Sequence, residues 1–336
     1  MKNDPSTELT PEHKEKLLAK IRSSKAYAKA YQDLEFLGKK DLRPIRLQLE
    51  LQKPEMILRE HKIRSTIVVF GSARILSPFE ARAQLDIALK QSAAEPKSDA
   101  LRRRLRRAQM RLEQSKYYEE ARRFAALISK AQQTDTSLEF VMVTGGGPGI
   151  MEATNRGAWE MGRKSIGLNI TLPHEQDPNP YMTPELSFQF HYFALRKMHF
   201  LMRAKALAVF PGGFGTFDEL FETLTLVQTG KKRKLPIVLF GKEFWERVVD
   251  WEFLAQNGMI TWEDTRLFKI VEKADEAWDH IKRFWKRQRD AAQAEPEQVA
   301  DAGEIRDDTG ALRSSAPSGS EVNPEPGGRG QSRRRG

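Results

Sequence analysis

The sequence predicts an α/β protein built on a doubly wound parallel sheet, and three observations carry that reading. Short runs of β-branched and aliphatic residues recur along the chain, each run ends in glycine or a polar turn, and a stretch of helical period follows. The runs stand at 67–70 (Ile-Val-Val-Phe), 140–143 (Phe-Val-Met-Val), 166–170 (Ile-Gly-Leu-Asn-Ile), 206–210 (Ala-Leu-Ala-Val-Phe) and 235–240 (Leu-Pro-Ile-Val-Leu-Phe). They are apolar nearly throughout rather than alternating, as strands covered on both faces must be.

Taken in order, residues 1–62 form a helical extension. Leu17, Leu18 and Ile21 are spaced three and four apart, and Leu47, Leu49, Leu51 and Ile57 follow in a run punctuated by Pro44 and Pro54. The α/β pattern occupies 63–288. Between its first two strands the connection at 76–138 is unusually long, which predicts an inserted helical hairpin at about 85–120 ahead of the usual crossover helix. The hairpin carries Leu101-Arg-Arg-Arg-Leu-Arg-Arg, but its arginines occur with Glu113, Glu119 and Glu120 and without interleaved aromatics. That pattern favours a solvated helix face over a nucleic-acid surface. An amphipathic helix at 191–203 precedes the fourth strand. Residues 289–336 are expected to be a disordered tail, as in Pro324-Glu-Pro-Gly-Gly, where no hydrophobic period survives.

Composition removes several classes of chemistry. The 336 residues contain no cysteine, so no disulfide, thiolate nucleophile, Cys-ligated zinc or iron–sulfur cluster is available. Nothing approaches the roughly 20 apolar residues of a membrane-spanning helix. The first residues lack the apolar core of a secretory signal, so the cytoplasm is the expected location. Lys plus Arg is 56 against 46 acids, a net +10 that permits anionic ligands. His191 and His199 are too far apart for adjacent turns of their helix, and no metal site is expected.

In an open α/β sheet, ligands collect beyond the carboxyl ends of the strands, so the turns there hold the candidates. The first, Gly71-Ser72-Ala73-Arg74, offers small residues and a hydroxyl, but a plain tight turn is the better reading of it. The second, Gly145-Gly146-Gly147-Pro148-Gly149, leads into a helix and could present amides to a phosphate. It fits neither the dinucleotide fingerprint nor the P-loop, and its glycines could serve only close packing. The third is Pro211-Gly212-Gly213-Phe214-Gly215-Thr216-Phe217-Asp218-Glu219. Here Thr216 and Glu219 fit a capping box, the reading the pattern alone favours, and Glu219 also suits a carboxylate next to a sugar whose phosphate lies on the helix N-terminus. Arg196 and Lys197 could be a solvated pair or could reach an anion in the cleft.

The Pro-Gly-Gly-x-Gly-Thr-x-x-Glu element at 211–219, with Arg196-Lys197 upstream and the Gly-Gly-Gly-Pro-Gly-Ile-Met turn at 145–151, resembles the LONELY GUY (LOG) family, long labelled lysine decarboxylases. The similarity covers about 64–285, and the helical preamble with Thr66-Ile-Val-Val-Phe-Gly-Ser-Ala-Arg-Ile75 looks like its longer bacterial branch. The resemblance implies a phosphoribohydrolase that cuts the N-glycosidic bond of a purine nucleoside 5′-monophosphate, AMP or a cytokinin riboside monophosphate, to free base and ribose 5-phosphate. It implies Arg196 and Glu219 as the catalytic pair. It places Glu175, Lys197, Gly213, Gly215, Thr216, Asp218 and Thr225 in substrate binding, to which the reading of the turns adds Gly71, Ser72, Gly146, Gly147 and Gly212. It also implies a homodimer and no cofactor. Where plant-type members have Met-His, this chain has Phe193-Ala194, a change in the cleft wall. The alternative is a non-hydrolytic nucleotide-binding or carrier protein of the same fold.

Overall fold

The computed structural model describes residues 9–134, 138–171 and 177–294. Helix α1 (Pro11–Arg22) opens the chain with Thr10 as its cap, and α2 (Leu34–Leu37) and α3 (Arg43–Glu60) complete the helical extension. Pro54 does not end α3. It removes one N–H from the helical ladder, and the carbonyl that loses its partner is that of Glu50, four residues back. His199 Nε2 donates to this carbonyl instead, at 3.2 Å. The helix continues because a side chain from elsewhere supplies the missing bond.

Strand β1 (Thr66–Phe70) follows, then α4 (Pro78–Ala94) and α5 (Asp99–Gln132). The expected hairpin is present but its design differs. It spans both helices from Pro78, and no separate crossover helix follows, because the second half of the 34-residue α5 packs on the sheet itself. Ser77 closes a capping box on α4 with Glu80. Its arginines are largely solvated: Arg102 meets Asp99, Arg111 meets Gln84, and Arg103, Arg104, Arg106 and Arg107 are exposed.

The remaining elements are β2 (Val141–Thr144), α6 (Ile150–Glu160), β3 (Ser165–Ile170), β4 (Ser187–Phe190), α7 (Phe193–Met202), β5 (Ala204–Val209), α8 (Phe214–Gln228), β6 (Ile237–Phe240), α9 (Lys242–Val248), α10 (Trp251–Gln256), β7 (Phe268–Val271) and α11 (Ala274–Ala294). The helical part of the C-terminal region therefore runs six residues beyond 288. All strand pairs are parallel, in the order β4-β3-β2-β1-β5-β6-β7.

Residues alternate between two cores, as a pleated sheet requires. Val68, Phe70, Val143, Leu168, Leu207 and Leu239 face one layer with Phe200, Leu220 and Trp245. Ile67, Val69, Met142, Ala208 and Val238 face the other with Phe124, Ile128 and Ile281. Strand order reverses direction between β1 and β5, so the crevice at their carboxyl ends is the topological switch point. Among the described residues no helix is long and apolar enough to cross a membrane.

Candidate active site

The three turns singled out from sequence converge at this switch point, held by backbone hydrogen bonds. Ser72 N donates to the carbonyl of Pro211 at 3.1 Å, and Ile150 N donates to that of Ser72 at 3.2 Å. Ser72 is thus the tie between the turns after β1, β2 and β5, and its hydroxyl accepts from Arg74 N at 3.1 Å. Gly71 packs directly against Ile150.

The turn after β2 is mostly explained by packing. Gly146 has φ +74°, a left-handed conformation open to glycine, and a Cβ there would stand 2.0 Å from Asn169 Oδ1. Its N–H is spent on Thr144 Oγ1 at 3.0 Å, so it is not offered to a ligand. Beneath it lies a buried polar network that sequence reasoning missed. Thr144 Oγ1 donates to Asn155 Oδ1 (2.7 Å), Asn155 Nδ2 to Ser165 Oγ (2.9 Å), and Asn179 Nδ2 to Asn155 Oδ1 and the Gly147 carbonyl (both 3.0 Å). Asn179 N also donates to the Gly146 carbonyl at 2.9 Å. These bonds hold the turn in place, and the amides of Gly147, Met151 and Glu152 have no partner among the described residues.

The turn after β5 is open. Gly213 and Gly215 are exposed with nothing within 4 Å of a Cβ, and Phe214 between them is 96% exposed. The capping-box reading fails here. Helix α8 begins at Phe214 with Gly213 as its cap and no side-chain cap bond, so Thr216 is already the third helical residue. Its side chain is buried over Gly212. The amides of Phe214, Gly215 and Thr216 have no partner among the described residues, an anion-binding helix start.

With capping removed, the Glu219 carboxylate receives no hydrogen bond from any described residue. Its nearest counter-charge is Arg196 Nη1 at 4.0 Å, and both side chains are nearly buried, 14% and 11% exposed. Burial pushes the Glu219 carboxyl up to about 7, against the pull of Arg196. Asp218 and Glu222 add to the rise, and Lys197 opposes it. Arg196 projects from α7 and is locked from three sides. Its Nε donates to the Leu168 carbonyl at 2.7 Å, its guanidinium lies 5.1 Å from the Phe200 ring centre, and Gly145 leaves the room it fills. A Cβ on Gly145 would come within 2.5 Å of Arg196 Nη2.

Lys197 turns to α8 instead, bonding Asp218 at 2.8 Å and Glu222 at 3.3 Å. These carboxylates raise its pKa against the lowering effect of burial. Thr225 is not brought to the cluster. It lies about 9 Å along α8 from Glu219 on another side of the helix, and its hydroxyl bonds the Phe221 carbonyl. Glu175 lies outside the described residues.

The order of the parallel strands, the crevice at the switch point and the two helix starts facing it define a Rossmann-like α/β domain. Residues 151–281 match the protein family described as possible lysine decarboxylase. No curated protein matches the sequence. Among solved structures, the molybdenum cofactor binding protein of Rippkaea orientalis aligns at 16% identity over 51% of this chain and 88% of its own, with a TM-score of 0.37. The molybdenum cofactor carrier protein of Chlamydomonas reinhardtii aligns at 16% identity over 66% and 99%, with a TM-score of 0.39. Neither bears on function at that level of likeness.

Proposed function

We propose that this protein hydrolyses the N-glycosidic bond of purine nucleoside 5′-monophosphates, AMP or an N6-substituted analogue, releasing free base and ribose 5-phosphate. The observation that carries the reading is the Glu219 carboxylate, nearly buried, without a hydrogen-bond donor among the described residues, beside Arg196 and next to an open helix start. Such a carboxylate is costly to maintain and has no structural task once capping is removed.

The chemistry follows from the residues. Cleavage sends the bonding electron pair to the departing base and builds positive charge on the ribose ring, which an adjacent ionised carboxylate stabilises. Water adds to C1′ and gives a proton to Glu219, whose pKa near 7 is matched to accept it at neutral pH, and that proton passes on to the base nitrogen that took the electron pair, which returns the carboxylate to its ionised form. The 5′-phosphate lies on the α8 amides, with those of α6 opposite, so a remote charge orients the reacting bond. Arg196 keeps Glu219 closer to its ionised form and supplies charge in the cleft. Lys197 and Asp218 tie α7 to α8 and so fix the distance between Arg196 and Glu219.

The test is a panel of nucleoside monophosphates and their unphosphorylated nucleosides, assayed for free base and ribose 5-phosphate. Release from AMP with adenosine a far poorer substrate supports hydrolysis with a phosphate anchor. Tight binding of the nucleotide without base release would favour the carrier alternative.

A further inference from the structure

The helical extension has a chemical connection to the site that neither the motifs nor the proposed reaction uses. Helix α7 carries Arg196 and Lys197, yet its own N-terminal residue, Tyr192, makes no side-chain cap bond. The Glu50 carboxylate of α3 takes that place, with one oxygen accepting from His191 N at 3.0 Å and the other from Tyr192 N at 3.2 Å. A negative charge here also suits the positive end of α7. Tyr192 then accepts the first helical bond, from Arg196 N at 3.2 Å, so the clamp and the Arg196 backbone share one residue.

Further contacts run along the same pair of helices. The Glu50 carbonyl, freed by Pro54, accepts from His199, one turn beyond Arg196. Glu55 pairs with Arg203 just past the end of α7 and faces His199 Nδ1 at 3.6 Å. The Arg43 guanidinium lies 5.6 Å from the Tyr192 ring centre. Residues about 150 positions apart in sequence thus splint α7 at both ends and the middle.

We propose that Glu50 is a positioning residue for Arg196, and that α3 serves as a splint setting the place of α7 relative to Glu219. This rests on the assignment of Arg196 to the reaction. A guanidinium 4.0 Å from its carboxylate, in a nearly dry site, is sensitive to movements of a fraction of an ångström. Glu50 acts through the backbone of the turn and touches no substrate.

The experiment compares the full chain with Glu50→Ala, Glu50→Gln and, as a control on the exposed side of α3, Gln52→Ala. Two readings are taken: amide hydrogen exchange over residues 190–197, and base release from AMP with kcat and KM separated. The expected result for Glu50→Ala is at least tenfold faster exchange at His191 and Tyr192. Its kcat falls about tenfold, with KM within twofold. Glu50→Gln keeps an acceptor oxygen and recovers kcat to within about threefold, and Gln52→Ala matches the wild type. If Glu50→Ala does not fold, Glu50→Asp withdraws the carboxylate by one methylene and gives the same ordering in milder form. Unchanged exchange overturns the clamp. Faster exchange with unchanged kcat, or equal loss in Gln and Ala, overturns positioning. If the wild type releases no base, the proposed reaction fails separately. Amide exchange at Arg196, whose N–H bonds the Tyr192 carbonyl, then replaces turnover, and unchanged exchange there in Glu50→Ala overturns positioning.

Discussion

Replacing Glu219 by glutamine should stabilise the protein in alkaline solution and leave its acid stability alone. The folded structure holds this carboxyl at about 7, against an ordinary value of 4.5, chiefly because it is buried. A group whose pKa is raised by folding contributes stability that is fully present below 4.5 and is lost as the pH rises through 7. That difference corresponds to about 3 kcal/mol by pH 8.5. Glutamine keeps the shape and never ionises, so Glu219→Gln should exceed the wild type by about 3 kcal/mol at pH 8.5, or roughly 5 °C in Tm for a chain of this size. At pH 5 the two should melt within about 1 °C. The assay is a pair of thermal melts at half-unit steps from pH 5 to 8.5, read as the difference between the proteins, which cancels every other titration. A glutamine variant less stable at pH 8.5, or an offset that does not change with pH, would refute the burial argument.

The other expectations concern the same cluster. Turnover should rise with pH to a plateau above about 7 as Glu219 ionises, and Lys197→Met, which removes a charge that lowers that pKa, should move the limb upward; a pH–rate profile of each reads it. Gly145→Ala should cost at least tenfold in turnover but about 1 kcal/mol or less in urea unfolding, because the added methyl meets only the tip of Arg196 and the Met151 sulfur. Asn155→Ala should cost about 2 kcal/mol in the same unfolding measurement, since Thr144, Ser165 and Asn179 each lose a buried partner.

The strands that were legible in the sequence are those buried on both faces. The two that were not, β4 and β7, are the sheet's edges. Ser187-Phe-Gln-Phe alternates, with Gln189 exposed, and β7 contains Lys269 with only Val271 buried. Edge strands face solvent on one side and lose the continuous apolar run that marks the others. Arg196 and Glu219 are singled out through the resemblance that the loop motifs carry, while the residues alone leave a solvated pair and a capping box open; the structure brings the two side chains to 4.0 Å. Thr216 misled because a threonine three residues before a glutamate reads as a cap, but Gly213 starts the helix earlier than any side-chain signal indicates. The Thr144–Asn155–Asn179 network and the Glu50 clamp left no local mark, because their partners meet only through the sheet order. Pro54 was the one visible trace, an apparent helix breaker whose cost is offset by His199.

Whether the Glu219 carboxylate performs the chemistry is decided by measuring AMP binding and base release side by side in the wild type and Glu219→Gln. Glu219→Gln should bind the nucleotide within a fewfold of wild type and turn it over slower on the order of a hundredfold or more, because an amide cannot stabilise developing positive charge. Near-normal turnover by the glutamine variant would contradict it, and loss of binding together with turnover would move Glu219 from the chemistry to recognition of the bound nucleotide.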